Sequence, residues 1–67
     1  MKYELNGDYI ELFKLLKVLD LVDSGAEAKL IVAEGHVLRN SQIETRKRAK
    51  IIVGDIIEVA EVSIEVV

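Results

Sequence analysis

The sequence predicts an α+β fold in which a two-helix hairpin packs on a small curved, mainly antiparallel sheet of four or five strands. From residue 9 to about residue 34, apolar residues recur every three or four positions, which is the period of amphipathic helices. Beyond residue 36 apolar and polar residues alternate, as in strands with one buried face, and polar turns separate the alternating segments. Strands that follow a helical pair favour a sheet covered by helices on one face.

The length and composition indicate one small domain spanning residues 1–67. A domain this short buries only about 60% of the surface of its unfolded chain, so its core is marginal. The chain has no Cys and a single His, which removes disulfides and the usual zinc clusters as means of stabilisation. We therefore expect aliphatic packing, no cofactor and no metal, in a monomer or a weak dimer.

The amino terminus lacks the apolar run of a signal peptide, and no segment approaches the roughly 20 apolar residues of a membrane span. Half of the residues are hydrophobic and there is no Pro, so intrinsic disorder is not expected. The expectation is a cytoplasmic protein without a membrane partner.

The first predicted element is a brief strand over residues 1–5, followed by a turn at residues 6–8. A helix is predicted from Tyr9 to Val22, because its apolar residues fall on one face and its charged residues on the other. Asp8 is the expected N-cap, and Glu11 completes a pair that is similar to a capping box.

A second helix is predicted from Gly25 or Ala26 to Glu34. Ser24 is placed to accept a hydrogen bond from the free amides of its first turn, with Glu27 reaching back in a capping box. Gly35 supplies the left-handed residue that commonly ends a helix. The turn between the two helices is so short that they form a helical hairpin.

The remaining elements are strands. A hairpin is expected over residues 36–44, with its turn at Asn40-Ser41. Residues 51–53 are predicted to pair with residues 56–59 across a Gly-Asp turn, and residues 62–66 form the last strand.

A basic run at residues 44–50 stands out, because the protein as a whole has a formal net charge of −3. Residues 39–50 contain five bases and the single acid Glu44, a local charge of +4. The bases are Arg39, Arg46, Lys47, Arg48 and Lys50. A concentrated patch of this kind holds polyanions through phosphate contacts and counterion release, and distant acids do little to oppose it because salt screens them.

Several short motifs resemble the S4-type RNA-binding domain, also called the alpha-L motif. They are Ser24 to Lys29, Glu34 to Val37, Asn40, Glu44 to Arg48, Lys50 and Gly54 to Glu58. The likeness spans roughly residues 9–59 and is greatest to small stand-alone bacterial members of the family.

This resemblance implies a non-enzymatic protein that binds structured RNA, of the ribosomal or transfer RNA class, through the helical pair, the following hairpin and the basic run. The residues at the matching positions, which we take as candidate RNA contacts, are Lys29, Arg39, Asn40, Arg46, Lys47, Arg48 and Lys50.

The sequence departs from the family pattern at three places. Ala26 stands where relatives often have a second Gly, and it favours the helix by about 1 kcal/mol. Ser41 replaces the usual Gly after Asn40, so the turn either uses another geometry or places Ser in a costly backbone region. Leu38-Arg39 interrupts the usual alternation, which leaves the two faces of that strand undetermined.

Some residues invite a function that the sequence does not support. The only aromatic residues are Tyr3, Tyr9 and Phe13, and none interleaves with the basic run, so recognition by shape and phosphate is expected in place of base stacking. Lys14 and Lys17 are typical of a solvated helical face.

Three other classes of function are weighed against RNA binding. In a protein-interaction module, the apolar and acidic segment 56–67 would add a strand to a partner or pair with itself. A β-grasp sulfur carrier is disfavoured because the chain ends in Glu65-Val66-Val67, without the terminal Gly-Gly that such carriers share. An enzyme is the least supported class, because His36 has no assigned partner and the closely spaced acids lack a metal-ligand spacing.

Overall fold

The computed structural model describes all 67 residues and contains two helices, a five-stranded mixed sheet and a separate two-stranded sheet. The elements are β1 (Lys2–Tyr3), β2 (Ile10–Glu11), α1 (Leu12–Val18), α2 (Gly25–Ala33), β3 (Val37–Arg39), β4 (Gln42–Ile43), β5 (Lys50–Ile51), β6 (Ile56–Val59) and β7 (Val62–Val66). The predicted α+β class, with a helical pair on a mainly antiparallel sheet, is confirmed.

The larger sheet has the strand order β1-β7-β6-β3-β4, and only the β1–β7 pair is parallel. In the β6–β7 hairpin, Ile57 lies opposite Ile64, and Val37 of β3 lies opposite Val59 of β6. The helices cover this apolar face of the sheet. The core is aliphatic, and its completely buried members are Leu12, Leu15, Leu16, Ala28, Val32, Val37, Ile51, Ile57 and Ile64.

The first helix differs from the prediction at both ends. It does not begin at Tyr9, because residues 10 and 11 form strand β2, which pairs with β5. It ends at Val18, and Asp20 beyond it adopts a left-handed φ of 57° that breaks the helical path. The predicted cap at Asp8 is wrong: the N-cap is Glu11, whose side chain makes no capping hydrogen bond.

Backbone carbonyls of the basic run accept hydrogen bonds from the first amides of α1. The backbone amides of Leu12 and Phe13 donate to the carbonyls of Ala49 and Lys47, each at 3.0 Å. Free amides of the first helical turn thus find partners far along the chain. The backbone of the basic run is thereby fixed against the start of the helix.

The second helix follows its local signals. The amide of Glu27 donates to Oγ of Ser24 at 3.2 Å, so the predicted Ser24 cap is confirmed, but the Glu27 side chain makes no hydrogen bond back to Ser24. Gly35 has a φ of 81°, and the amides of Gly35 and His36 donate to the carbonyls of Val32 and Ile31. This is the Schellman arrangement, which satisfies the last carbonyls of the helix.

The hairpin at Asn40-Ser41 is confirmed, with φ values of 52° and 71° that place both residues in the left-handed region. Of the two alternatives for Ser41, the structure has the one with the costlier backbone. The predicted pairing of residues 51–53 with β6 is wrong, because β5 pairs with β2 and residues 52–55 form a turn. The side chain of Asp55 accepts from the amide of Ile52 inside this turn at 2.9 Å.

Neither helix is long and apolar enough to cross a membrane. No group of three or more His, Asp or Glu side chains lies close enough together to hold a metal ion.

Candidate nucleic-acid interface

The basic run leaves the β3–β4 hairpin, crosses the start of α1 and enters β5. Its side chains gather around an open hollow of about 400 Å³, lined by Arg39, Arg46, Arg48, Ala49 and Lys50. Four of the five basic residues between residues 39 and 50 therefore line one concave surface. Lys47 is exposed and does not line this hollow, although its backbone belongs to the same run.

Glu44 fixes the direction of Arg46. The carboxylate of Glu44 accepts from Nε and Nη2 of Arg46 at 3.0 and 3.1 Å, and also from the Arg46 amide at 3.3 Å. These hydrogen bonds to Arg46 hold the pKa of Glu44 below its usual value in spite of its burial, and the carboxylate in turn raises the pKa of Arg46. The Arg46 side chain remains 74% exposed, so it is oriented but still accessible.

Arg39 lies at the base of the hollow and is held by the protein itself. Its Nε and Nη2 donate to Oδ2 of Asp55 at 3.2 and 2.9 Å, and Nη2 also donates to the carbonyl of Lys50 at 2.8 Å. Nη1 lies 3.5 Å from Oε1 of Glu44. The side chain is only 22% exposed, so most of its donors already have partners.

Asn40 belongs to the same network. Its Nδ2 donates to Oδ1 of Asp55 at 2.9 Å, and its Oδ1 accepts from the amide of Ile56 at 2.9 Å. Burial would raise the pKa of Asp55, but its hydrogen bonds with Ile52, Asn40 and Arg39 outweigh burial and hold that pKa below its usual value. Arg39, Asn40 and Asp55 thus join the β3–β4 hairpin to the turn before β6.

A second hollow of about 360 Å³ adjoins the first, and Arg39 and Arg46 line both. The other residues around it are Asn40, Gln42, Ile43 and Glu44. Because they share these two residues, the two hollows make one open surface along the hairpin and the basic run.

Two aromatic residues, Phe13 and Tyr9, belong to the basic surface, which the sequence did not predict. Nζ of Lys29 lies 4.8 Å from the centroid of the Phe13 ring, and Cζ of Arg48 lies 5.9 Å from it. Nζ of Lys50 lies 5.1 Å from the centroid of the Tyr9 ring. Lys29 of α2 and Arg48 of the basic run therefore lie beside the same ring, so α2 and the basic run contribute to one surface. The sequence held no signal for this, because these residues are distant in the chain.

These features define a small α+β domain in which a helical pair and a hairpin present a cation-lined surface. The chain belongs to the S4 domain family, whose model matches residues 3–67. The recognition made from the sequence motifs is confirmed.

Two relatives align with this chain over most of their length. It is 44% identical over 59 residues to "Putative RNA-binding protein YbcJ" of Escherichia coli (strain K12), covering 88% of this chain and 84% of the relative. It is 34% identical over 55 residues to "Probable ribosome maturation protein RlbA" of Bacillus subtilis (strain 168), covering 82% and 78%.

The fold has a solved counterpart. The solution structure of E. coli YbcJ, described as an alpha-L motif involved in RNA binding, superposes with a TM-score of 0.75 at 40% identity. The match covers 98% of this chain and 85% of that one. The fold of this chain is accordingly that of the alpha-L motif.

Proposed function

We propose that this protein is a non-enzymatic RNA-binding protein that recognises structured RNA through α2, the β3–β4 hairpin and the basic run. The observation that carries the proposal is the collection of Arg39, Arg46, Arg48 and Lys50 around one open hollow. The names of the E. coli and B. subtilis relatives support it. We propose RNA of the ribosomal or transfer RNA class, and the ribosome maturation name of the B. subtilis relative supports the ribosomal part of that proposal. On this proposal the protein acts in the cytoplasm.

The chemistry of the surface fits phosphate groups. Each Arg offers a planar fork of donors that matches phosphate oxygens, and each Lys offers a compact charge. The hollow is open and is rich in donors, whereas the ring face of Phe13 is already approached by a cation. We infer that shape and backbone phosphates dominate recognition, as in most binding of folded RNA.

The candidate residues divide into two roles. Arg46, Lys47, Arg48 and Lys50 are exposed and are proposed to meet RNA directly, together with the half-buried Lys29. Arg39 and Asn40 are proposed to contribute from the base of the surface, where their internal hydrogen bonds fix the shape of the hairpin.

The alternative of a protein-interaction module built on the last strand is not favoured. Strand β7 lies between β1 and β6, so both of its edges already have hydrogen-bonded neighbours. Its inward residues Ile64 and Val66 are buried. A partner strand cannot add to β7 without displacing one of those neighbours.

The decisive test is a variant with Arg46, Lys47, Arg48 and Lys50 changed to Gln. We expect the folded variant, checked by circular dichroism, to lose binding to a transfer RNA and to a ribosomal RNA hairpin in fluorescence anisotropy. The wild type should lose affinity as salt rises, with a log-log slope of roughly −2 to −4 for three or four phosphate contacts.

A matched control separates the site from net charge. Lys47→Gln/Lys50→Gln and Lys2→Gln/Lys17→Gln each replace two exposed Lys residues, so both double variants change the net charge equally. Only the first pair should weaken RNA binding strongly. Equal affinities for the two double variants, or full binding by the folded quadruple variant, would refute the assignment of this run to RNA.

A further inference from the structure

The ring of Phe13 is surrounded by cations from three different segments. Lys14 belongs to α1, Lys29 to α2 and Arg48 to the basic run, and their charged ends lie 5.9, 4.8 and 5.9 Å from the ring centroid. Any two of these charges are therefore separated by less than twice the larger distance. This upper limit is about 12 Å, against a screening length of about 8 Å at physiological salt, so the three charges are only partly screened from one another and act on any anion between them.

The cluster carries more positive charge than its own carboxylates neutralise. Glu11 is the one acid beside it, with Oε1 at 3.1 Å from Nζ of Lys14 and Oε2 at 3.9 Å from Nη1 of Arg48. Lys29 has no carboxylate within 4.0 Å. Attraction to the face of the ring offsets part of the mutual repulsion of the cations, by about 0.5–1 kcal/mol for an exposed pair. A surplus of two positive charges remains for an external anion.

Phe13 is held firmly enough to organise these side chains. Its amide donates to the carbonyl of Lys47 at 3.0 Å, which ties it to the basic run. The half-buried ring also packs against the hydrophobic core. The ring thus sits where α1, α2 and the basic run meet.

We propose that Lys14, Lys29 and Arg48 form a second phosphate-binding site, and that Phe13 is the residue that positions them. The inference rests on the proposed function, which it extends: one RNA backbone contacts the hollow of the basic run and then this site, because Arg48 belongs to both. An RNA phosphate replaces Glu11 as the partner of Lys14 and Arg48. Lys14, which the sequence assigned to a solvated face, becomes an RNA contact.

The first test compares Lys14→Gln with Lys17→Gln. Both residues are exposed lysines of α1, but Lys17 has no aromatic contact and lies in the last helical turn. We expect Lys14→Gln to weaken RNA binding about three- to tenfold and to reduce the salt slope by about 1, while Lys17→Gln changes affinity less than about twofold. Indistinguishable affinities and slopes for the two variants would overturn the site.

The second test addresses the ring. Phe13→Tyr keeps the aromatic face, whereas Phe13→Leu keeps an apolar side chain of similar burial without it. With folding verified by chemical denaturation, Phe13→Leu should bind RNA about threefold or more weakly with a shallower salt slope, and Phe13→Tyr should bind as the wild type does. If folded Phe13→Leu retains both affinity and slope, Phe13 is a core residue only.

Free phosphate is the other source of the same chemistry. At equal ionic strength, inorganic phosphate should compete with RNA no better than chloride if the site reads an RNA backbone. Direct binding of inorganic phosphate that is lost in Lys14→Gln, while that variant keeps the wild-type RNA affinity, would instead identify a small-anion site and overturn the RNA assignment of this cluster.

Failure of this inference is distinct from failure of the proposed function. If Lys47→Gln/Lys50→Gln weakens RNA binding while Lys14→Gln behaves as Lys17→Gln does, RNA binding stands and the second site falls. If no variant of either set affects RNA binding, both proposals fall together.

Discussion

Asp55 is the acid on which the shape of the basic surface depends, and Asp55→Asn tests this role with a minimal change of shape. Oδ2 of Asp55 accepts from Arg39 and from the amide of Ile52, and Oδ1 accepts from Nδ2 of Asn40. Only 9% of the Asp55 side chain is exposed, so water cannot replace these partners well. The substitution removes the charge and converts one acceptor into a donor.

The cost follows from the individual contacts. An amide oxygen in place of Oδ2 still accepts from Arg39, but the bond loses its charge assistance, which is worth about 1 kcal/mol. The new NH2 group faces Nδ2 of Asn40, and Asn40 cannot turn its amide without losing the bond from the amide of Ile56. A buried donor without a partner costs about 1–3 kcal/mol. The expected loss is therefore about 2–4 kcal/mol, against a total stability of about 3–10 kcal/mol for a domain of this length.

Urea denaturation followed by circular dichroism measures this loss directly. Glu61→Gln is the matched control, because it removes one acidic charge from an exposed side chain nearby in the chain and should stay within about 0.5 kcal/mol of the wild type. In thermal unfolding, Asp55→Asn should melt more than about 10 °C lower. Equal midpoints for the two variants would show that the network around Asp55 does not hold the hairpin.

Three further outcomes are expected. Because hydrogen bonds from Arg46 lower the pKa of Glu44, and those to Asp55 lower its pKa against the effect of burial, the unfolded chain binds protons more readily. The stabilisation that ionised Glu44 and Asp55 contribute is complete above about pH 4–5 and is lost as pH falls through their lowered pKa values. The urea midpoint should therefore fall at acid pH, and a midpoint unchanged by acid would contradict this. Ser41→Gly should raise the unfolding free energy by up to about 1 kcal/mol by relieving the left-handed backbone, and an unchanged or lower midpoint would contradict this. Ser24→Ala should lower it by about 0.5–2 kcal/mol in urea titration without changing RNA affinity, and poor binding by the folded variant would instead make Ser24 a ligand.

The parts of the fold that were predictable from the sequence are those whose signals are local. Helix α2 carries its own start at Ser24 and its own end at Gly35, so its bounds are close to the prediction. The local signals for the start of α1, Asp8 and Glu11, gave a wrong prediction, because the N-cap is Glu11 and its side chain makes no capping hydrogen bond. The first amides of α1 bond to carbonyls of the basic run, and its end depends on the left-handed Asp20, which sequence periodicity does not reveal. The partner of β5 was missed for a related reason, since pairing with β2 joins distant segments.

The candidate site likewise has features that the sequence predicts and features that depend on contacts between distant segments. The concentration of charge between residues 39 and 50 is visible in the sequence, and the structure gathers most of it around one hollow. What the sequence does not show is which cations are already paired. Arg39 contacts Asp55 and Glu44, which lie in other turns of the chain. Phe13 of α1 contacts Lys29 of α2 and Arg48 of the basic run, which are distant from it in sequence.

The pairing pattern decides which charges are available to an external polyanion. Arg39 and Arg46 are matched by the buried carboxylates of Asp55 and Glu44, so this part of the surface has a defined shape but little surplus charge. Lys47 and Lys50 have no carboxylate within 4.0 Å. The backbone of the run is meanwhile fixed by its carbonyl bonds to α1, and no side chain takes part in those two bonds. Substituting the lysines should therefore remove affinity without loosening the loop, whereas substituting Arg39 should loosen the hairpin first and weaken RNA binding only as a consequence.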